Sequence, residues 1–157
     1  MMVFEYSKIL SCPPQETWAA VVDFPARKLH GKRYRRAELP DGPLPEPGHR
    51  IEFQIGRDRF TSLITVVQTG ETLSHRTSGP GFWVGFSYRV RECSDGDEGY
   101  TSDDLGHTYV TIEAEYGGWL GSLIGKLRPG ACRRYLIDEM DAISATTESI
   151  KAEPVVA

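Results

Sequence analysis

The chain has 157 residues, of which 39% are hydrophobic and 25% are charged, and its formal net charge at pH 7 is −4. This composition is typical of a soluble globular protein with one domain and a sizeable core. No apolar run approaches the roughly 20 residues that a membrane-spanning helix needs, and the negative charge argues against a nucleic acid as partner.

The cysteines and the N-terminus indicate a reducing compartment. Cys12, Cys93 and Cys132 are odd in number and lack the Cys-x-x-Cys spacing of a zinc site. Residues 1–6 carry a glutamate and no basic stretch before an apolar segment, unlike a secretory signal. No two histidines have the i, i+4 spacing of a zinc-binding helix. We therefore expect free thiols in the cytoplasm, with neither a metal nor a cofactor.

The N-terminal half predicts strands and one early helix. Residues 3–10 are rich in β-branched and aromatic side chains and predict a strand. The Pro-Pro pair at 13–14 opens a helix that Phe24-Pro25 ends, because proline suits the first helical turn. Further strands are predicted at 34–39, 51–55, 60–67 and 72–77, with a proline-rich turn at 40–48. The inward side of strand 60–67 stays open, because that segment is apolar on both faces.

The next two strands alternate regularly between apolar and polar residues. In the first, the apolar positions are Phe82, Val84, Phe86, Tyr88 and Val90. In the second, at 108–116, they are Val110, Ile112, Ala114 and Tyr116. This alternation predicts an antiparallel sheet with one buried and one solvated face.

After Gly117-Gly118 the sequence predicts a long amphipathic helix that runs to about Ile143. Apolar side chains recur with helical spacing at Leu120, Leu123, Ile124 and Leu127 and again at Cys132, Tyr135, Leu136, Met140 and Ile143. Pro129 interrupts the pattern and predicts a kink. We expect this helix to cover the apolar face of the sheet, with a single domain at 1–150 and a flexible tail at 151–157.

Three segments carry a resemblance to a known superfamily. They are residues 12–18 (Cys-Pro-Pro-Gln-Glu-Thr-Trp), residues 73–80 (Leu-Ser-His-Arg-Thr-Ser-Gly-Pro) and residues 106–121, which end in Gly-Gly-Trp-Leu-Gly. With the element order, they resemble the START-related (SRPBCC) superfamily, which includes polyketide cyclases and lipid carriers. The resemblance spans about residues 3–148. It implies an α+β helix-grip fold, in which a curved antiparallel sheet wraps around a long C-terminal helix and leaves a hollow.

Bacterial aromatase/cyclases of polyketide synthesis are the sharpest enzymatic comparison in that superfamily. They resemble this chain around Arg76 and around Tyr34, which implies that these two residues are catalytic and orient a substrate oxygen. Those enzymes also carry a cavity arginine on the preceding strand, and residues 60–67 contain none. An inward Arg76 must contact a ligand oxygen or form an ion pair with a glutamate of a neighbouring strand. His75 alternates with Arg76, so the two side chains face opposite ways.

The hollow is expected to hold a small hydrophobic ligand. The predicted ligand-binding residues are Phe53, Phe82, Val84, Phe86, Tyr88, Val110, Ile112, Tyr116, Leu123, Leu127, Tyr135 and Leu136. Their apolar side chains and few hydroxyls are typical of small-molecule sites. The ligand is expected to be a polyketide, a lipid or an aromatic metabolite. Two functions stay open: a polyketide cyclase/dehydratase-like enzyme, and a non-catalytic carrier or sensor for a lipid, isoprenoid or aromatic metabolite.

A basic cluster is the remaining candidate for a partner site. It consists of Lys28, Lys32, Arg33, Arg35 and Arg36. Such a cluster is either the solvated edge of a strand or a docking surface for an acidic carrier protein. Trp83 and Trp119 are candidates for contacts with another subunit, so an oligomer is possible on this pattern.

Overall fold

The computed structural model describes residues 1–152 of the chain. The strands are β1 (Met2–Leu10), β2 (Tyr34–Glu38), β3 (Arg50–Ile55), β4 (Asp58–Gln68), β5 (Thr72–Gly79), β6 (Phe82–Glu92) and β7 (Thr108–Gly117). The helices are α1 (Pro14–Val22), α2 (Ala26–His30), α3 (Gly118–Leu127) and α4 (Pro129–Ala152). The strands form one antiparallel sheet of order β1-β7-β6-β5-β4-β3-β2. The predicted fold class, a curved antiparallel sheet with a long C-terminal helix, is confirmed.

Helix α4 packs across the inner face of this sheet and against α1 and α2. Its residues Leu136, Met140 and Ile143 are fully buried, as are Val110 and Ile112 of β7, which face inward as their alternation predicted. Strands β1 and β7 both contact this helix. They lie side by side in the sheet, where β1 pairs with β7 along its whole length. Among residues 1–152, none of the helices is long and apolar enough to cross a membrane.

The end of α4 lies beyond the predicted one. The apolar pattern stops near Ile143, yet the helix continues to Ala152. Thr146 and Thr147 take the next inward positions and are buried, and their hydroxyls donate to the carbonyl oxygens of Ala142 and Ser144. Because these hydroxyls are satisfied by the helix itself, the buried face continues through two polar residues, and Ile150 packs against the core one turn later. The predicted tail at 151–157 is therefore helical at its start, and residues 153–157 lie outside the described residues.

A β-bulge in β4 explains why that strand is apolar on both faces. The register with β5 shifts between Ile64 and Val66. Ser62 and Ile64 are buried, whereas Val66 is exposed and Val67 packs against the core. The extra residue reverses the alternation, so the inward positions are even-numbered before the bulge and odd-numbered after it.

Helix α3 does not cover the sheet in the predicted way. It is a separate helix, because the chain breaks from helical geometry at Arg128 before Pro129 opens α4. Its buried residues are Gly121 and Gly125, whereas Leu123 and Leu127 are exposed. The two glycines carry no side chain, so the backbone of α3 sits close to β1, β6 and β7.

The turn from β7 into α3 requires a glycine. Gly118 has a φ of +73°, and a Cβ atom there would lie 2.4 Å from the carbonyl oxygen of Gly81. Gly118→Ala is expected to lower the free energy of unfolding by about 2 kcal/mol, because backbone strain and a contact with rigid backbone add together. Urea denaturation measures this loss.

Gly106 supplies the matched control for that substitution. Its φ is +82°, but nothing lies within 4 Å of its Cβ position. Gly106→Ala therefore reports the backbone strain alone, about 1 kcal/mol. Equal losses in the two variants would show that the close approach to Gly81 adds no cost.

Candidate functional site

A cavity of about 180 Å³ opens between the sheet and α4. Its wall is formed by Phe53, Ile55, Phe60, His75, Thr77, Phe82, Val84, Phe86, Tyr116 and Tyr135. The strand residues lie toward the end of the sheet that carries the β5–β6 turn, where Thr77 pairs with Val84 and Val84 with Tyr116. The hollow is therefore confined to one end of the helix–sheet interface.

The cavity wall contains some of the predicted ligand-binding residues and lacks others. Those on the wall are Phe53, Phe82, Val84, Phe86, Tyr116 and Tyr135. Tyr88, Val110, Ile112 and Leu136 are instead packed in the solid core at the middle and far end of the sheet. Leu123 and Leu127 lie on the exposed side of α3, so their predicted place in the cavity is wrong. That any wall residue binds a ligand stays a prediction.

Arg76 lies on the outer face of the sheet, so its predicted role inside the cavity is wrong. Its guanidinium carbon sits 3.8 Å from the centre of the Trp83 ring, in a cation–π contact on the outer surface. The alternation of β5 decides the matter, because His75 points inward and is 3% exposed. The residue on the cavity wall is thus the histidine next to the one that the resemblance indicated.

Tyr34, the other predicted catalytic residue, is buried beside the cavity wall without being part of it. Its hydroxyl hydrogen-bonds with the hydroxyl of Tyr135, which lines the cavity, and donates to the Glu139 carboxylate at 3.2 Å. Its ring stacks on Phe53 with the ring centres 5.3 Å apart. Tyr34 therefore supports two wall residues, and a direct role toward a ligand stays a prediction.

A buried ion pair between α2 and α4 lies at the centre of the polar residues behind the cavity. Arg27 Nε donates to both carboxylate oxygens of Glu139, at 3.2 and 3.3 Å. The other guanidinium nitrogens donate to the carbonyl oxygens of Ala20 and Val21, each at 2.9 Å. Arg27 has no exposed surface. The guanidinium thus ties the C-terminal end of α1 to α4.

Two tyrosines complete the coordination of the Glu139 carboxylate. Tyr34 donates to one oxygen, and Tyr88 donates to the other in a short hydrogen bond. Burial is the largest single influence on Arg27 and opposes its charged form, but the Glu139 carboxylate and the oxygens of Tyr88 and Tyr34 together outweigh burial and raise the pKa of the guanidinium. Burial, and then the same carboxylate, raises the pKa values of Tyr34 and Tyr88. The tyrosines are therefore neutral hydrogen-bond donors.

The donors around Glu139 fix the protonation of His75. Its Nε2 lies 3.5 Å from the Tyr88 hydroxyl, whose proton goes to Glu139, so that hydroxyl can only accept. Nε2 therefore carries the imidazole proton, and Nδ1 accepts from the Ser62 hydroxyl at 2.6 Å. Burial, and then the charge of Arg27, lowers the pKa of His75 to about 3. His75 is neutral at pH 7, and both of its nitrogens are engaged.

The sequence did carry a signal for this network. Glu139 falls on the apolar stripe of α4, between Leu136 and Ile143, and a carboxylate at such a position needs a buried cation. Arg27 carried no comparable signal, because five-residue helix α2 is too short to show a periodicity. Ser62 carried no signal either, because one serine in a strand that is apolar on both faces does not show which way it points.

The basic cluster predicted from the sequence is partly neutralised by neighbouring carboxylates. Arg33 Nε donates to Asp138 of α4 at 2.7 Å, and Arg36 pairs with Glu38 on its own strand at 2.8 Å. The guanidinium of Arg33 also lies over the ring of Tyr135, 5.1 Å from its centre. An acidic carrier protein as partner of this cluster stays a prediction.

The chain is similar to known proteins in structure and not in sequence. No protein-family model matches the chain, and no curated protein matches it by sequence. A hypothetical protein from Helicobacter pylori aligns structurally with a TM-score of 0.73, at 11% identity over 93% of this chain and 88% of that one. Norcoclaurine synthase from Thalictrum aligns with a TM-score of 0.67, at 12% identity over 96% of each chain.

BexL, a di-domain ARO/CYC protein of the BE-7585A biosynthetic pathway, aligns with a TM-score of 0.68 at 13% identity. The match covers 98% of this chain and 48% of BexL. The chain has the helix-grip fold. Identities this low establish the architecture only, because one architecture carries many activities. The function of this helix-grip protein has to be argued from its own cavity.

Proposed function

We propose that this helix-grip protein binds a small hydrophobic molecule in its cavity, as a non-catalytic carrier or sensor. The observation that carries the proposal is the apolar hollow between sheet and α4, walled by phenylalanines with a few hydroxyls. Such a wall is typical of small-molecule sites, where apolar contacts give affinity and a few polar groups set orientation. We include the chain in the START-related (SRPBCC) superfamily as part of this proposal.

The volume of the cavity limits the part of the ligand that it can enclose. An apolar cavity of about 150 Å³ in another protein binds benzene. The volume here is about 180 Å³, which suits one substituted aromatic ring or a short branched chain. An aromatic metabolite or the end of an isoprenoid or lipid meets this limit, and the remainder of a longer ligand would extend through the opening.

A carrier or sensor is favoured over a polyketide cyclase/dehydratase-like enzyme by the state of the polar residues. Arg76 faces away from the cavity, where it cannot stabilise an enolate. His75 reaches the wall, but Ser62 and Tyr88 occupy both of its nitrogens and its pKa of about 3 makes it a weak base. The Tyr34 hydroxyl already donates its hydrogen bond to Glu139. The buried free cysteines support a reducing cytoplasm as the compartment.

Thr77→Phe tests the proposal by filling the cavity from its wall. A naphthalene sulfonate dye and a panel of singly substituted phenols serve as probes, with fluorescence and calorimetry as readouts. We expect the wild type to bind at least one phenol and the variant to bind it at least about tenfold more weakly, because the ring occupies the ligand's volume. Native mass spectrometry of the purified protein would show any small molecule that co-purifies.

Ser78→Phe is the matched control. Ser78 follows Thr77 in β5, points to the outer face and pairs with Trp83, so the same ring is added outside the cavity. The affinities of Ser78→Phe and of Arg76→Ala for the phenol should equal that of the wild type. Thermal unfolding establishes that each variant is folded. Equal affinity in Thr77→Phe and the wild type would contradict the proposal, and turnover of a polyketide substrate would favour the enzyme.

A further inference from the structure

Helix α3 exposes its apolar side, which is the reverse of an ordinary surface helix. Trp119 is 74% exposed, Leu127 is 71% exposed and Leu123 is 43% exposed. These three residues follow each other at intervals of four and form one ridge, with Ile124 beside it. The side toward the sheet carries Gly121 and Gly125. The Trp119 ring lies against Gly81 of the β5–β6 turn but stays largely exposed. A solvated apolar ridge of this kind marks an interaction surface.

The charged residues that flank this ridge along the chain all have the same sign. From Tyr116 to Ile137 the chain contains Lys126, Arg128, Arg133 and Arg134 and no acidic residue, although the whole chain has a net charge of −4. All four are exposed. Neither Lys126 nor Arg128 forms an ion pair with any of residues 1–152, whereas Arg134 pairs with Asp138. Arg133 lies over the ring of Phe4 in β1. The surface of α3 is thus apolar and carries the positive charges of Lys126 and Arg128 at its C-terminal end.

We propose that this surface docks the protein onto an anionic lipid bilayer. Tryptophan and leucine on one side of a helix, with lysine and arginine beside them, are the composition of helices that lie in the membrane interface. The ridge inserts its side chains among the lipid chains, and the basic residues contact the anionic headgroups, which attract each nearby lysine or arginine. The positive charge of this surface complements the negative charge of the bilayer, which is why we propose an anionic bilayer as the partner.

The same charge argues against a second copy of the chain. A symmetric dimer through the ridge would bring Lys126 and Arg128 of both copies together, and like charges across an interface are costly. An acidic protein would satisfy the charge, but the cores of protein interfaces are depleted in lysine, and Lys126 lies among the exposed apolar residues. A lipid surface accommodates both kinds of side chain.

The docking surface adjoins the cavity. Gly121 packs against Phe82, with its Cβ position 3.7 Å from that of the phenylalanine, and Phe82 is part of the cavity wall. Docking through α3 would therefore bring one wall of the cavity close to the bilayer, where apolar molecules partition. The docking itself needs no ligand, so it can be tested whatever the outcome for the cavity.

Vesicle binding of the full chain tests the proposal. Sedimentation with phosphatidylcholine vesicles, with and without phosphatidylserine, measures the partition of the wild type, of Leu123→Gln/Leu127→Gln and of Lys126→Gln/Arg128→Gln. We expect the wild type to prefer phosphatidylserine vesicles and to lose this binding as salt is raised. The leucine variant should partition at least about tenfold more weakly, and the charge variant about fivefold more weakly per charge. Leu63→Gln, which removes a leucine exposed to a similar degree on the outer face of the sheet, should bind as the wild type does.

Each of the other outcomes would overturn the proposal. One is equal partition of the wild type onto vesicles with and without phosphatidylserine, and another is an equal loss in Leu63→Gln. A wild-type dimer that becomes monomeric in the leucine variant on ultracentrifugation would make the ridge a contact between copies. Binding to an acidic carrier protein without binding to vesicles would make it a protein-docking surface. Both leucines are exposed, so circular dichroism should show that the variants keep the fold.

Discussion

Glu139→Leu is expected to lower the free energy of unfolding by about 3–5 kcal/mol, the largest effect of a single substitution that this structure predicts. The reason is the charge that the substitution leaves behind. Arg27 has no exposed surface, and Glu139 is the carboxylate that pairs with it. Without that carboxylate the guanidinium keeps its charge in the core, and Tyr34 and Tyr88 lose the acceptor of their protons.

Two further variants separate the buried charge from the loss of a helix residue. Asp138→Asn changes the adjacent residue of α4, whose ion pairs with Arg33 and Arg134 are partly solvated, and should cost less than about 1 kcal/mol. Arg27→Met/Glu139→Leu removes both charges and should recover part of the stability lost in Glu139→Leu. Urea denaturation measures all of them. A loss in Glu139→Leu no larger than that in Asp138→Asn would contradict the account.

The buried network also explains why the cavity keeps its shape. The rings of Tyr135 and Phe86 pack with their centres 5.2 Å apart. The Tyr135 hydroxyl hydrogen-bonds with that of Tyr34, which donates to Glu139. His75 is fixed from two sides, by Ser62 and by Tyr88. Polar groups behind the wall thus hold the wall residues in place, which keeps the lining of the hollow from collapsing.

The regular parts of the fold could be predicted because a single period ran through each of them. In β6 and β7 the alternation identified Phe86 and Val110 as inward residues, and the stripe of α4 identified Leu136 and Met140. Burial against one partner surface imposes such periods. They locate the sheet and the helix that covers it, but they do not show where the interface is filled and where it is hollow.

Prediction failed where a second constraint overrode the period. In α3 the leucine pattern suggested that the leucines are buried. The side with Gly121 and Gly125 faces the sheet instead, because glycines let the backbone of the helix come closer to the strands. In β4 a bulge reversed the alternation. At Arg76 the resemblance indicated a segment that reaches the cavity wall, but the side chain on the wall is that of His75, because one position along a strand reverses the face. Which face of an element lies inward depends on its neighbours in the fold, and these are not visible in one sequence.

Acidification is expected to destabilise the protein through His75, by about 2 kcal/mol between pH 8 and pH 5 and about 3 kcal/mol by pH 4. The pKa of His75 falls from 6.5 to about 3 on folding, so the folded chain keeps this imidazole neutral. As the pH falls through 6.5, the unfolded chain gains a proton that the folded chain does not bind, and unfolding becomes more favourable. The stabilisation is therefore complete above that value and declines until the pH reaches about 3.

Urea denaturation across this pH range, for the wild type and for His75→Gln, measures the contribution of His75. The glutamine removes the titrating group, so its curve should lack the decline between pH 7 and pH 4 that belongs to His75. Asp41 and Asp97, whose pKa values are lowered to about 2 by Arg50 and Arg91, keep their contributions in both proteins. Parallel curves would mean that His75 binds a proton as readily in the folded chain as in the unfolded one. Nitrogen-15 chemical shifts of the imidazole provide an independent check. The hydrogen bonds of Ser62 and Tyr88 require that the imidazole proton lies on Nε2 at pH 7.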